Sequence, residues 1–136
     1  MPSRFPPNFE SAARRHWKVA QKLSQDGCYD AAGYMFGFAG ECRLKSAMIK
    51  VGIRPLPNER RMEDPFRAHF PELKALMLDT GAGSRISATV NALLSNGGFM
   101  TEWDTDMRYA KSGSVDQPTT QRWQSGVEQL FAATEF

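Results

Sequence analysis

The chain has little of what cross-links a small protein or binds a metal. Its 136 residues include two cysteines, Cys28 and Cys42, and two histidines. Two cysteines are too few for a disulfide framework, so we expect free thiols in a reducing compartment. The residue spacing shows no metal-ligand cluster, phosphate-binding loop or Ser-His-Asp arrangement, so the sequence predicts neither a metal nor another cofactor.

Charge excess and long apolar runs are also missing. The 17 lysines and arginines nearly balance the 15 acidic residues, which confines any polyanion site to a local patch. No run approaches the length of a membrane span, and the first ten residues have no apolar signal core. We therefore expect a cytoplasmic protein that does not enter a membrane.

Alternating strand patterns are absent as well, and apolar residues recur at helical spacing instead. We predict an all-α fold, an up-and-down bundle of about four to five helices. A single domain spans residues 1–136, with an N-terminal extension at 1–8, a loop at 53–68 and a loop at 111–118 before the final helix. The first predicted helix ends near Gln25 and the second spans Asp30 to Lys50. A short third helix follows Pro71, a fourth begins at a Ser84 cap, and the last spans Pro118 to Ala133. Between the fourth and the last, Thr101 to Ala110 form a short helical turn or an irregular crossing.

The second predicted helix is apolar over most of its circumference, which is typical of a helix in the middle of an assembly. Gly33, Gly37 and Gly40 share one stripe, and each glycine inside a helix costs about 1 kcal/mol relative to alanine. We expect something to approach this backbone closely: a neighbouring helix, the same helix of a second subunit, or a ligand. The narrow sector left for water holds Ser46, Ala39, Lys50 and Arg43.

Two charged residues, Glu41 and Lys45, lie inside the apolar surface of this helix at a spacing that suits an intrahelical ion pair. They are either such a pair or part of a cleft or dimer seam, where Lys45 would hold a phosphate. His16 lies in the apolar stripe predicted for the first helix, which also includes Val19. It is either a hydrogen-bonded core residue or a catalytic one. Glu41 on the adjacent helix is its expected partner, and that contact would raise the imidazole pKa.

The string AAGYMFGFAGECRLKSAMI resembles the second helix of HEPN domains, the "higher eukaryotes and prokaryotes nucleotide-binding" family. The family pattern there is an alanine-rich segment with tyrosine, followed by Ala-x-Glu-Cys-x-Leu-Lys. Two later segments are similar to family motifs in the same order, so the resemblance covers roughly Ser11 to Tyr109. The matching residues are Ala39, Glu41, Cys42, Leu44 and Lys45, then His69, Leu73 and Leu76, and finally Trp103, Arg108 and Tyr109.

This resemblance implies an all-α, HEPN-like bundle that is commonly a homodimer and is often encoded beside a small nucleotidyltransferase. Many family members are metal-independent ribonucleases, in which an arginine is followed by a histidine after about four to six residues. Here Arg60 and Arg61 are too far from His69, Arg67 is too near, and no histidine follows Arg108. The usual catalytic pair is therefore missing, and Arg108 and His69 remain for a divergent nuclease.

We expect a binding or regulatory module for a nucleotide, RNA or a nucleotidyltransferase partner. The alternatives are a divergent ribonuclease of toxin-antitoxin type and a purely structural interaction domain. Arg108 and Tyr109 either form a binding edge or are structural, with Trp103 and Tyr109 as core anchors and Arg108 paired with Glu41 or Asp104. The expected polar or ligand-binding residues are thus Glu41, Lys45, His16, Arg108 and Tyr109.

Overall fold

The computed structural model describes residues 3–135 and confirms an all-α helical bundle. Over those residues the chain forms six α-helices and three short 3-10 segments, with no strand. The α-helices are α1 (Phe9–Gln25), α2 (Tyr29–Lys50), α3 (Glu72–Asp79), α4 (Ala82–Ile86), α5 (Ala88–Ser95) and α6 (Gln117–Ala133). The 3-10 segments are Asn58–Glu63, Pro65–Arg67 and Thr105–Tyr109.

Helices α1 and α2 form an antiparallel hairpin. The Asn8 side chain caps α1 by accepting from the Ser11 amide at 3.0 Å, and Gly27 makes the turn with a φ of 78°. The buried face of α1 is centred on Ala13 and Ala20. The prediction that Val19 is buried is therefore wrong: it lies at the rim and is 42% exposed.

Helix α2 runs through the middle of the bundle, packed against α1 and α6, and is buried along most of its length. The predicted water-facing sector is wrong for Ala39 and Ser46, which are buried. Arg43 is also engaged: its guanidinium donates to Thr134 Oγ1 at 2.7 Å and to the Thr134 carbonyl at 3.2 Å. Arg43 thus satisfies the C-terminal end of α6 and joins two helices, whereas Lys50 is exposed as expected.

The glycines of α2 are covered by side chains of the same chain. A Cβ at Gly37 would lie 2.0 Å from the indole of Trp103, and one at Gly33 would lie 2.8 Å from the indole of Trp123. A Cβ at Gly40 would lie 3.1 Å from a methyl group of Val127. The close approach therefore comes from α6 and from Trp103, so these three positions are already occupied within one subunit.

The region between α2 and α6 contains more helices than expected. Ser87, rather than Ser84, is the cap, because its side chain accepts from the Val90 amide at 3.0 Å and separates α4 from α5. The expected loop at 53–68 contains two of the 3-10 segments and is organised by the buried Asp64, which accepts from the Leu56 amide at 3.2 Å and the Phe66 amide at 3.0 Å. In the described part of the chain, no helix is both long and apolar enough to span a membrane.

Candidate functional site

The centre of the candidate site is a carboxylate buried inside α2. Glu41 is 1% exposed, and its two oxygens are bound by the segment that leads into α3. Oε2 accepts from the Phe70 amide at 2.8 Å, and Oε1 lies 2.8 Å from Nδ1 of His69. An ionised carboxylate only accepts hydrogen bonds, so beside the ionised form of Glu41 the imidazole proton lies on Nδ1. Burial raises the pKa of Glu41, and the bond to His69 opposes the rise.

His69 connects this buried carboxylate to the surface. Its side chain is 45% exposed, although Nδ1 points inward to Glu41. Among residues 3–135, Nε2 has no hydrogen-bond partner. A carboxylate that holds one imidazole nitrogen fixes the tautomer and orientation of the ring and leaves the other nitrogen available as an acceptor.

Lys45 is buried beside this pair without bonding to it directly. Within the described residues no salt bridge joins Lys45 to Glu41, so the predicted intrahelical ion pair is not formed. The Lys45 ammonium instead lies 5.9 Å from the centre of the Phe9 ring on α1. Burial lowers the pKa of Lys45, and the charge of Glu41 opposes that change.

A row of aromatic rings extends from His69 along α2. The Phe38 ring lies 5.9 Å from the His69 ring and 4.8 Å from the Tyr34 ring, measured between centroids. Tyr34 in turn stacks on the buried Trp103 at 5.7 Å with nearly parallel planes. Tyr34 and Phe38 are only half-buried. The row therefore presents aromatic surface to solvent on a rigid helix.

Arg108 and Tyr109 extend this row at its far end. The Arg108 guanidinium lies 5.1 Å from the centre of the Tyr109 ring, and its Nε donates to the Thr105 carbonyl at 2.9 Å. Burial raises the pKa of Tyr34, and the neighbouring Arg108 opposes the rise. We call the surface formed by Tyr34, Phe38, His69, Arg108 and Tyr109 the His69 face.

Two structural expectations for this end of the site are wrong. Tyr109 is not a core anchor, since it is 80% exposed, whereas Trp103 is buried as expected. Arg108 forms no salt bridge with Glu41 or Asp104 in the described part of the chain. The two oxygens of Glu41 instead bond to His69 and to the Phe70 amide.

The expected pairing of His16 with Glu41 is also wrong. The His16 ring packs beside Phe38, with centroids 5.8 Å apart, and it is only half-buried. Its pKa is lowered by burial and by the nearby Arg15, rather than raised. The two histidines thus lie near the same phenylalanine, but only His69 reaches the carboxylate.

Cavities adjoin both ends of the His69 face. One of about 350 Å³ is lined by residues that include Tyr34, Arg108 and Ser112. Another of about 260 Å³ is lined by residues that include Arg61, Arg67 and His69. A larger cavity, about 520 Å³, lies between α5 and α6 and includes none of the residues around Glu41. We therefore place the site by its chemistry rather than by cavity size.

Within residues 3–135 no group of three or more His, Cys, Asp and Glu side chains is arranged to hold a metal ion. The thiol nearest the site, Cys42, is buried, which raises its pKa to about 11. Comparison with known proteins found no matching family model, curated protein or solved structure. The HEPN resemblance therefore stays a prediction based on the motif residues.

Sequence reasoning identified Glu41, His69, Arg108 and Tyr109 but did not assign Tyr34 and Phe38 to the site. A signal for them exists, because Tyr34, Phe38, Glu41 and Lys45 recur at the spacing of one helical stripe. Arg61, Arg67 and the Phe70 amide have no comparable signal. They reach the site only because the segment just before α3, with His69 and Phe70, packs against α2.

Proposed function

We propose that this protein is a HEPN-like helical module that binds RNA or a nucleotide on the His69 face, as a homodimer and with a regulatory role. The observation that supports this most directly is the row of half-exposed rings flanked by Arg108. Nucleic-acid bases stack on aromatic side chains, and arginine binds phosphate groups through charge-assisted hydrogen bonds. The small net charge of +2 is compatible with a local site of this kind.

The arrangement of the face suits a flexible single strand better than a duplex. The rings from His69 to Tyr34 are spaced by 5.9 Å and 4.8 Å, so an extended strand could place one base against Phe38 or Tyr34 and a neighbouring phosphate near Arg108. Tyr109, which is largely exposed, offers a further ring beside the same guanidinium. A site made of stacking surfaces tolerates many sequences, because every base has an aromatic face.

Binding is tested with fluorescein-labelled, mixed-sequence 12-nucleotide RNA and with ATP, using anisotropy and calorimetry. We expect Tyr109→Ala and Arg108→Gln each to weaken RNA binding about tenfold, which lies within the range for loss of one stacked base or one phosphate contact. Both residues are exposed, so neither change should affect folding. Arg122→Gln is the matched control, since Arg122 is exposed and lines the cavity between α5 and α6.

The proposal is wrong if neither RNA nor ATP binds below millimolar concentration, or if Arg122→Gln weakens binding as much as Arg108→Gln. A protein that binds neither ligand would instead be a structural interaction domain. Sedimentation velocity tests the homodimer separately. Coexpression with a nucleotidyltransferase encoded by a neighbouring gene, where one is present, tests the proposed partner.

A metal-independent ribonuclease is the second candidate function, favoured by the 2.8 Å contact between Glu41 and His69. An imidazole held by a carboxylate is a suitable general base for the attack of a hydroxyl on phosphorus. The test is incubation with RNA in excess EDTA. Cleavage that is lost in His69→Gln but retained in His16→Gln would support this candidate over simple binding.

A further inference from the structure

We propose that His69 is a phosphoryl-acceptor residue, whose Nε2 takes a phosphoryl group from a phosphoramidate, an acyl phosphate or a phosphoanhydride. The inference rests on the pair formed by Glu41 and His69, and it does not depend on RNA binding. It goes beyond the proposed function by providing a modification that would change the charge of the same face.

The geometry leaves one nitrogen of His69 ready to act as a nucleophile. Nδ1 is held 2.8 Å from Glu41 Oε1, and the ring packs against the edge of Phe38 at an interplanar angle of 78°. With the proton on Nδ1, Nε2 carries a free lone pair at the half-exposed edge of the ring, and no other group in residues 3–135 bonds to it. An imidazole nitrogen whose lone pair is exposed can form a covalent bond to an electrophilic centre.

The buried carboxylate stabilises the charge that the reaction creates. The Nε2 lone pair forms a bond to phosphorus, the bond from phosphorus to the donor's leaving atom breaks, and its electron pair leaves with that atom. With phosphoramidate as donor, the protonated nitrogen leaves as ammonia, so no additional proton is needed. The imidazole becomes cationic and keeps its Nδ1 proton directed at Glu41, which lies in a site where few waters weaken the attraction.

The cavity that contains His69 also contains groups suited to a phosphoryl group. Arg67 and Arg61 line the same space of about 260 Å³. Arg67 is held in place by its bond to Asn58 Oδ1 at 3.1 Å and lies 3.8 Å from Asp64, which leaves other N–H groups of its guanidinium unused. Glu72 lines the cavity too and contributes an opposing charge. Asp64 lines it as well, so the two arginines face two carboxylates, and Asp64 partly engages Arg67.

His16 provides a comparison within the same molecule. It has no carboxylate on either ring nitrogen in the described residues, and it packs against the same Phe38. Any reagent that simply modifies accessible imidazoles would label both histidines. His69 is also the more exposed of the two, so a preference for His69 in the folded chain is assigned to Glu41 only where Glu41→Gln removes it.

The test treats the full chain with potassium phosphoramidate at pH 8 and locates the product by phosphorus NMR and peptide mass spectrometry. We expect His69 to be labelled about ten times faster than His16, and Glu41→Gln to slow that labelling by about 10- to 100-fold, as loss of a carboxylate behind a functional histidine usually does. In denaturing urea, where Glu41 no longer holds the ring, the two histidines should react equally.

Equal labelling of His16 and His69 in the folded wild-type chain, or no labelling of His69, overturns the proposal. This comparison needs no variant, so it decides the question even if Glu41→Gln fails to fold. The RNA-binding assay is run on the phosphorylated and unmodified protein in parallel. Labelling of His69 without RNA binding to either form would sustain this proposal and reject the proposed function, and the reverse result would do the opposite.

Discussion

Two neighbouring stripes of helix α2, offset by a single residue, have very different surroundings. The stripe of Gly33, Gly37 and Gly40 is closed by Trp103, Trp123 and Val127 of the same chain. The stripe of Tyr34, Phe38, Glu41 and Lys45 carries bulky and charged groups, and its rings remain half-exposed at the surface.

The difference shows where the fold needs close packing and where it leaves room for a ligand. Glycine is used on the first stripe because an indole lies almost against the backbone, and Trp103 Nε1 also donates to the Gly33 carbonyl at 3.0 Å. On the second stripe, the buried Glu41 supports a histidine that reaches solvent. One stripe thus holds the bundle together, and its neighbour presents the candidate site.

The largest loss of stability should come from adding a side chain to the stripe of glycines. In Gly37→Ala the new Cβ would lie 2.0 Å from Trp103, which is 1% exposed and cannot move without disrupting the core. We expect a loss of about 2 to 3 kcal/mol in the free energy of unfolding, even though alanine favours the helix. Urea denaturation followed by circular dichroism measures it.

Gly40→Ala is the matched control for that change. Its Cβ would lie 3.1 Å from a methyl group of Val127, a distance that a shift of a few tenths of an ångström relieves. The gain of about 1 kcal/mol in helix propensity should offset most of the cost. If Gly37→Ala were as stable as Gly40→Ala, the view that Trp103 closes this stripe would be incorrect.

A smaller loss of stability is expected from a change in the stripe of Tyr34, Phe38, Glu41 and Lys45. Glu41→Ala removes the acceptor for the Phe70 amide and for His69, and an unpaired buried amide costs about 1 to 3 kcal/mol. We expect a loss of about 2 kcal/mol, with a smaller loss in Glu41→Gln, which retains one acceptor oxygen. The same denaturation measurement applies, and an unchanged midpoint for Glu41→Ala would show that this carboxylate contributes nothing to stability.

The smallest effect should come from the histidine that lies beside the site without reaching Glu41. Burial lowers the pKa of His16 in the folded chain, so the unfolded chain binds the proton more readily. The stability contributed by neutral His16 is full above the ordinary histidine pKa of about 6.5 and is lost as the pH falls through the lower folded value. His16→Gln should therefore lose less stability than the wild type between pH 7.5 and pH 5. If the free energy of unfolding changed equally with pH in both proteins, the lowered pKa of His16 in the folded chain would be contradicted.

How far the sequence predicts the fold depends on how local each determinant is. Helix α3 begins next to Pro71 and ends next to Gly81, and α6 begins next to Pro118, each within a residue or two of the prediction. These bounds are predictable because helix starts and stops are set by nearby residues. Ser84 was the wrong cap, because two serines in one short stretch offer equally good local signals and only packing chooses Ser87.

Long-range partners were the least predictable part of the site. Glu41 was expected to bond Lys45, His16 or Arg108. Its actual partners are His69 and the Phe70 amide, which are 28 and 29 residues away along the chain. Arg43 was expected to face water, yet it caps the end of α6. In both cases the charged group is satisfied by a segment whose position no local pattern encodes.

The sequence by itself determined the helical class, the central position of α2, and the residues from which a site could be made. The helical period of its apolar residues and the glycines spaced along one stripe were sufficient for this, because both depend on local geometry. Only the tertiary structure decided that Trp103 fills the space at Gly37, and that His69 rather than His16 lies against Glu41. Those choices depend on how distant segments pack, where a buried carboxylate takes whichever donors the folded chain brings within reach.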